Sequence, residues 1–187
     1  MNERRKKAVK QIIFGVILLA IAGVSYFFGG KNSVSVLSFS DCVAEGNPVM
    51  ESYPRQCKTK DGQTFKEDIG NELEKDDLIR IAEPRPNTVV TSPLTISGVA
   101  RGSWFFEASF PIVVVDFDGA IIGEGYATTN DAEWMTTKFV PFSGTVTFDV
   151  AKIQGGYSNR GALILKKANP SDLSEHDDAL EIPVRFR

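Results

Sequence analysis

Residues 104–129, WFFEASFPIVVVDFDGAIIGEGYATT, decide how this chain is read. The stretch is dense in aromatic and β-branched residues, which suit a pleated, half-buried surface. Its only strong turn signal is Asp118-Gly119, set between two apolar runs. Asp-Gly in that setting predicts a tight hairpin, because both central residues of such a turn must reach positive φ. The expectation is two antiparallel strands at the heart of a β-sandwich.

Downstream and upstream of this hairpin the apolar period is two. Ile79 and Ile81 flank Arg80, and Leu94 and Ile96 alternate with Thr95 and Ser97. Val146, Phe148 and Val150 alternate with Thr145, Thr147 and Asp149, and Ile182, Val184 and Phe186 with Glu181, Pro183 and Arg185. Such alternation marks strands with one buried face. Pro84, Pro86, Pro93, Gly98, Gly102, Gly144, Gly155-Gly156 and Pro170 punctuate them. Pro183 lacks a ladder donor, which predicts an edge position for the last strand. With no convincing amphipathic helix, residues 78–187 are expected to form an all-β, immunoglobulin-like antiparallel β-sandwich. No cysteine falls there, so its core must rest on packing alone.

The other end of the chain is of a different kind. Residues 12–28, IIFGVILLAIAGVSYFF, carry no charge and as a helix would rise about 26 Å, close to a hydrocarbon thickness of about 30 Å. Arg4, Arg5, Lys6, Lys7 and Lys10 precede them. The positive-inside rule then keeps residues 1–11 in the cytoplasm as a basic tail, makes 12–30 a single transmembrane helix, and exports the remainder. The lipid bilayer is the partner expected for residues 12–30. A cleavable signal peptide is the competing reading, since Ala20-Ile21-Ala22 fits a cleavage site. Apolar character continues past Ala22, as a retained anchor requires, and either reading exports the rest of the chain.

Residues 31–68 are expected to be a stalk followed by a small hairpin segment holding both cysteines, Cys42 and Cys57. Two cysteines make no structural zinc site alone, and the single histidine, His176, is remote in sequence. Outside the cytoplasm a disulfide is the simplest reading, worth about 3 kcal/mol for a loop of roughly 15 residues in the chain-entropy model. Lys60-Asp61-Gly62-Gln63 predicts a second hairpin with arms 56–59 and 64–66, and Gly46-Asn47-Pro48 another turn. The pattern around Cys57, Asp61-Gly62 and Phe65 distantly resembles Kazal-type protease inhibitors, which use three disulfides where this segment has cysteines for one. Residues 69–77, polar and acidic, are expected to be a linker.

The formal net charge of −3 conceals an asymmetry: beyond residue 10 there are 16 basic and 23 acidic side chains, a net of −7. Phosphate binding needs clustered Lys and Arg, so nucleic acid is excluded as the expected partner.

Several ordered motifs resemble one known family. They are Ser92 to Gly98 (SPLTISG), Trp104 to Pro111 (WFFEASFP), Asp116 to Gly119, Trp134-Met135, Phe139 to Phe142, Gly161 to Lys166 and Ile182-Pro183-Val184. Together they resemble the immunoglobulin-like domain of bacterial spore germination (the Gmad type) over residues 78–187. The resemblance implies a β-sandwich of exported envelope proteins, and it brings no catalytic residues, ligand or cofactor with it.

Candidate binding residues are therefore read from the chain itself. Trp104, Phe106, Tyr126 and Trp134 would form a platform for stacking sugar rings of a cell-wall polymer, with Glu107 as a carboxylate beside it. Against this, alternate aromatics fill the core of a sandwich without disulfides, and Glu107 turns to water or pairs with Arg101. Asp116 and Asp118 resemble part of a calcium loop but lack its distant Glu, so a turn explains them. His176 among Asp172, Glu175, Asp177 and Asp178 lacks the placed nucleophile and orienting acid of a catalytic base. No metal, cofactor or catalytic residue is expected. The functional expectation is a single-pass membrane protein presenting a non-catalytic domain that binds a cell-wall polymer or another envelope protein. An exported hydrolase or inhibitor-like protein is the alternative.

Overall fold

The computed structural model describes residues 36–153 and 158–187. Among these no helix is long and apolar enough to cross a membrane; the span expected at 12–30 lies outside them, as does the Gly155-Gly156 turn. Residues Ser38–Arg187 make one compact unit.

Its first part holds α1 (Phe39–Ala44) and a three-stranded sheet of β1 (Val49–Met50), β2 (Gln56–Lys58) and β3 (Thr64–Lys66) in that order. Ser38 caps α1, its hydroxyl accepting from the Asp41 amide at 3.1 Å, so the stalk expected at this point already contains the start of a helix. Gly46, at φ +75, ends it in the left-handed conformation that lacks a Cβ penalty. The expected disulfide joins Cys42 on α1 to Cys57 on β2, and both cysteines are fully buried. The predicted β2–β3 hairpin forms, with Cys57 opposite Phe65 and Gly62 at φ +91.

Residues 69–77 are not a free linker. Ile69 is buried, α2 (Glu72–Lys75) supplies a turn of helix, and Asn71 is bonded at both ends of its side chain, to Ala179 and Glu181. The asparagine amide and carbonyl replace a missing strand neighbour, a role that polarity alone did not distinguish from solvation.

The second part is an eight-stranded ladder in the order β4-β6-β9-β8-β7-β10-β11-β5. The strands are β4 (Ile79–Glu83), β5 (Val89–Val90), β6 (Leu94–Arg101), β7 (Ser109–Asp116), β8 (Ile121–Thr128), β9 (Phe139–Phe148), β10 (Arg160–Lys166) and β11 (Ala179–Phe186). Every pairing is antiparallel except β5 with β11. Residues from all eight contribute to one buried cluster, so this single ladder curls into a sandwich-like body with one inner face. Alternation is strict on β11 as the sequence predicted, where Ile182, Val184 and Phe186 point in, and it also holds on β7, where Phe110, Ile112 and Val114 do. Phe110 stands edge-on to Phe105 at 5.3 Å and to Phe142 at 5.0 Å, an aromatic spine in place of an inter-sheet disulfide. Val150, expected in a strand, lies in a short 3-10 turn, because Asp149 accepts from the Ala151 amide at 2.9 Å and stops β9.

Two further expectations are corrected. The turn at Asp118-Gly119 is not the two-residue type, since only Gly119 has positive φ (+82). Asp116 builds a longer loop instead: its backbone pairs with Gly119 N and Ala120 O, and its Oδ1 accepts from Asp118 N at 3.0 Å and Ala120 N at 2.8 Å. The last strand is not a bare edge either. The Glu181 and Arg185 amides point away from β10, to Asn71 Oδ1 and Thr88 O, and the Asn87 amide reaches Pro183 O. Pro183 shares their parity, so its absent N–H faces this outer side and costs no bond to β10.

Candidate functional site

The β6–β7, β8–β9 and β10–β11 connections meet at one end of the sandwich, and the sequence candidates distribute around it unequally. Trp104 closes a 3-10 turn (Gly102–Trp104) after β6 and is 1% exposed, deep in the core. Its indole N–H is buried without a partner, while its carbonyl accepts from Ala168 N at 3.0 Å and ties the β10–β11 loop down. Phe105 is also buried, and Trp134 is half-buried against it, with ring centroids 6.3 Å apart. Only Phe106 (47%) and Tyr126 (64%) stand open. Tyr126 sits on the outer face of β8 opposite Pro111, back from the tip that carries Phe106. The continuous platform expected of Trp104, Phe106, Tyr126 and Trp134 therefore does not form. Strand parity assigns alternate rings inward, and the aromatic run 104–106 crosses a turn where parity breaks.

That turn is the feature the sequence hid. Phe106 and Ser109 exchange backbone hydrogen bonds at 2.9 and 3.0 Å, closing a two-residue hairpin whose central residues are Glu107 and Ala108. Both lie at positive φ, +48 and +58, the conformation of a type I′ turn normally given to Asn and Gly. A left-handed L-residue costs roughly 1–2 kcal/mol. The Ala108 carbonyl accepts from Thr129 N at 3.0 Å, which helps to hold the turn against that cost. The result is an exposed Phe106-Glu107 pair on a fixed tip. Glu107 makes no pair with Arg101, whose guanidinium instead bonds the Asp77 and Thr137 carbonyls and stacks on Phe139 at 4.3 Å.

Other groups at this end are open to solvent: Met135, Leu173, Asp131, Glu133, Asp172 and Glu175. Ser171 Oγ lies 3.0 Å from His176 Nδ1, with Asn169 Oδ1 2.6 Å away on the other side. Ser171 and His176 are exposed, and the ring's partner at Nδ1 is a hydroxyl rather than a carboxylate. The geometry is that of a loop tie, not of an oriented catalytic base.

A second polar cluster joins the cysteine-bearing part to the sandwich. Arg55 makes a fork with Glu67 at 2.7 and 2.6 Å, and this guanidinium is the main reason Glu67 is held below the usual carboxylate range. Arg85 bonds Glu72 at 2.7 Å and the Tyr53 hydroxyl at 2.6 Å, while that hydroxyl donates to Glu72. Burial, reinforced by the Glu72 bond, drives the Tyr53 phenol well above its ordinary value. Asn87 Nδ2 bridges to the Asp68 carbonyl at 2.7 Å. These groups are fully engaged with one another and read as a joint.

Residues 78–159 match the family model described as the immunoglobulin-like domain of bacterial spore germination. The match ends before β10 and β11, although β10 pairs with β7 and β11 completes the core. No curated protein and no solved structure matches the chain. Within the curled ladder, the part from β4 to β9 is thus what is similar to the immunoglobulin-like domain of bacterial spore germination.

Proposed function

We propose that this chain is a membrane-anchored, extracytoplasmic, non-catalytic binding module of the bacterial envelope, linked to spore germination, and that it offers the Phe106 end of its sandwich to another envelope protein. The observation that carries the reading is the Glu107-Ala108 turn. A fold that holds two L-residues in left-handed conformation at an exposed tip, and so projects a phenyl ring and a carboxylate, gives up stability for presentation. The open acidic groups around it suit a partner surface that is basic and apolar. Sugar stacking has less support, because Trp104 is buried and Trp134 is half-buried against Phe105. The uncharged run at 12–28 behind a basic tail supports the anchor. The Cys42–Cys57 bond supports export, since disulfides persist in oxidising compartments.

The test uses the full chain in its own cells. A photo-crosslinking residue at Phe106 is expected to trap one protein of defined mass, and Glu107→Arg is expected to abolish the adduct. The same probe at Ser143, on the outer face of β9, is expected to trap none. Equal trapping from both positions, or shielding of the C-terminal half from protease added to intact cells, refutes the proposal.

A further inference from the structure

At the end of the sandwich opposite the Phe106 tip lies a cleft of about 350 Å³, between the β7–β8 loop, the start of β10 and the outer side of β11. Asp68, Asn87, Asp116, Arg160 and Glu181 form its polar wall and Pro183 part of its apolar wall. Three carboxylates thus face one guanidinium.

Asp116 is the unusual member. It is 3% exposed, and its Oδ1 is occupied by the Asp118 and Ala120 amides. Its Oδ2 is buried with no hydrogen-bond partner, and no ion pair reaches the residue among those described. Buried carboxylates are ordinarily paired, so half of this one's bonding capacity is uncommitted at the wall of a polar cleft. Among the described ion pairs none joins Arg160 to it; the Arg160 Nη2 is directed to Ser40 Oγ at 3.1 Å. A divalent cation would need several oxygen ligands converging on one point, and among the described residues no three acidic, histidine or cysteine side chains do so. An ammonium group requires less convergence. It carries three N–H donors and no acceptor, and a short aliphatic stem lies comfortably along an apolar wall.

We infer that this cleft binds a primary ammonium group on a short aliphatic stem, brought either by a free amine or by the lysine of a polypeptide. Asp116 supplies the buried charge, and Glu181 and Asp68 supply the exposed ones at the rim. The site is independent of the Phe106 tip, and neither proposal depends on the other.

The test is a titration of the isotopically labelled full chain in detergent micelles, following the amides of Gly70, Gly119 and Gly161, which line the cleft. Butylammonium is expected to shift them saturably and butyrate to leave them in place. Asp116→Asn keeps an acceptor oxygen for the loop while removing the charge, and is expected to weaken binding by about tenfold or more. Should that variant not fold, Glu181→Gln leaves the loop untouched and is expected to weaken binding about threefold. A blocked lysyl peptide that binds much tighter than butylammonium identifies a polypeptide source; equal affinity identifies a free amine. Shifts that grow linearly with any salt, or an affinity unchanged in the folded variant, overturn the inference.

Discussion

If the Phe106 tip is held at an energetic cost, relieving the cost must stabilise the protein. Ala108 at φ +58 carries a left-handed penalty of roughly 1–2 kcal/mol. Ala108→Gly removes it, but a glycine also widens the unfolded ensemble, which offsets about 0.4–1 kcal/mol of the gain. The net expectation is a gain of about 0.5–1 kcal/mol. The bond from Thr129 N to the residue 108 carbonyl, 3.0 Å long, is backbone-only and survives the change. At roughly 2–4 °C per kcal/mol for a protein of this size, the unfolding temperature rises by about 1–4 °C. Urea unfolding followed by circular dichroism should give a higher midpoint at constant slope. Because Phe106 and Glu107 stay in place, crosslinking from the tip should be unaltered. Glu107→Asn should also stabilise, since Asn tolerates the left-handed region, yet it should lose the partner. A lower urea midpoint for Ala108→Gly would refute the idea that strain is stored there.

The packing sets four more outcomes. Replacing Cys42 and Cys57 by serine should cost about 3 kcal/mol, seen as a lower urea midpoint that matches the wild type under reductant. Glu67, depressed by Arg55, contributes stability that is present above its unfolded pKa and lost as pH falls through the folded value; Glu67→Gln should therefore flatten the acid limb of a stability–pH curve. Spectrophotometric titration should leave Tyr53 protonated above the ordinary phenol range, and its stabilisation should fade only as pH rises past that range. Gly70→Ala places a methyl 1.9 Å from the Glu181 carbonyl at φ +67 and should cost about 2–5 kcal/mol by the same unfolding assay.

The strands were legible because period two survives in any one-sided sheet, as in Ile182, Val184 and Phe186; β7, apolar at every position from 112 to 115, was legible from its β-branched composition instead. The second hairpin, at Asp61-Gly62, was legible from turn chemistry between two short extended arms. At Asp118-Gly119 the same signal misled, because Asp116 two residues earlier offers a side-chain acceptor that favours a longer loop. The true tight turn, Glu107-Ala108, has neither residue that turn chemistry prefers. It is imposed by the neighbouring Thr129 bond and by the inward anchoring of Phe105 and Phe110, none of which a local window of sequence reveals. The docking of residues 69–71 was not legible, because an asparagine that bonds a strand edge and one that merely faces water look alike in sequence. For the candidate site, exposure of Tyr126 was within reach of parity, whereas the contrast between buried Trp104 and open Phe106, which share parity, depended on how loops cross the end of the sandwich.

Both rims of the eight-stranded ladder are short or interrupted. At one, Asn71, Asn87 and the two-residue β5 occupy the outer hydrogen-bonding groups of β11. At the other, β4 is irregular between Ile81 and Glu83, and Arg85 Nη1 takes the Ile81 carbonyl at 2.7 Å. Among the described residues, copies crowded side by side would meet short, interrupted rims on this ladder rather than one long free strand, which works against fusing these sheets through the backbone.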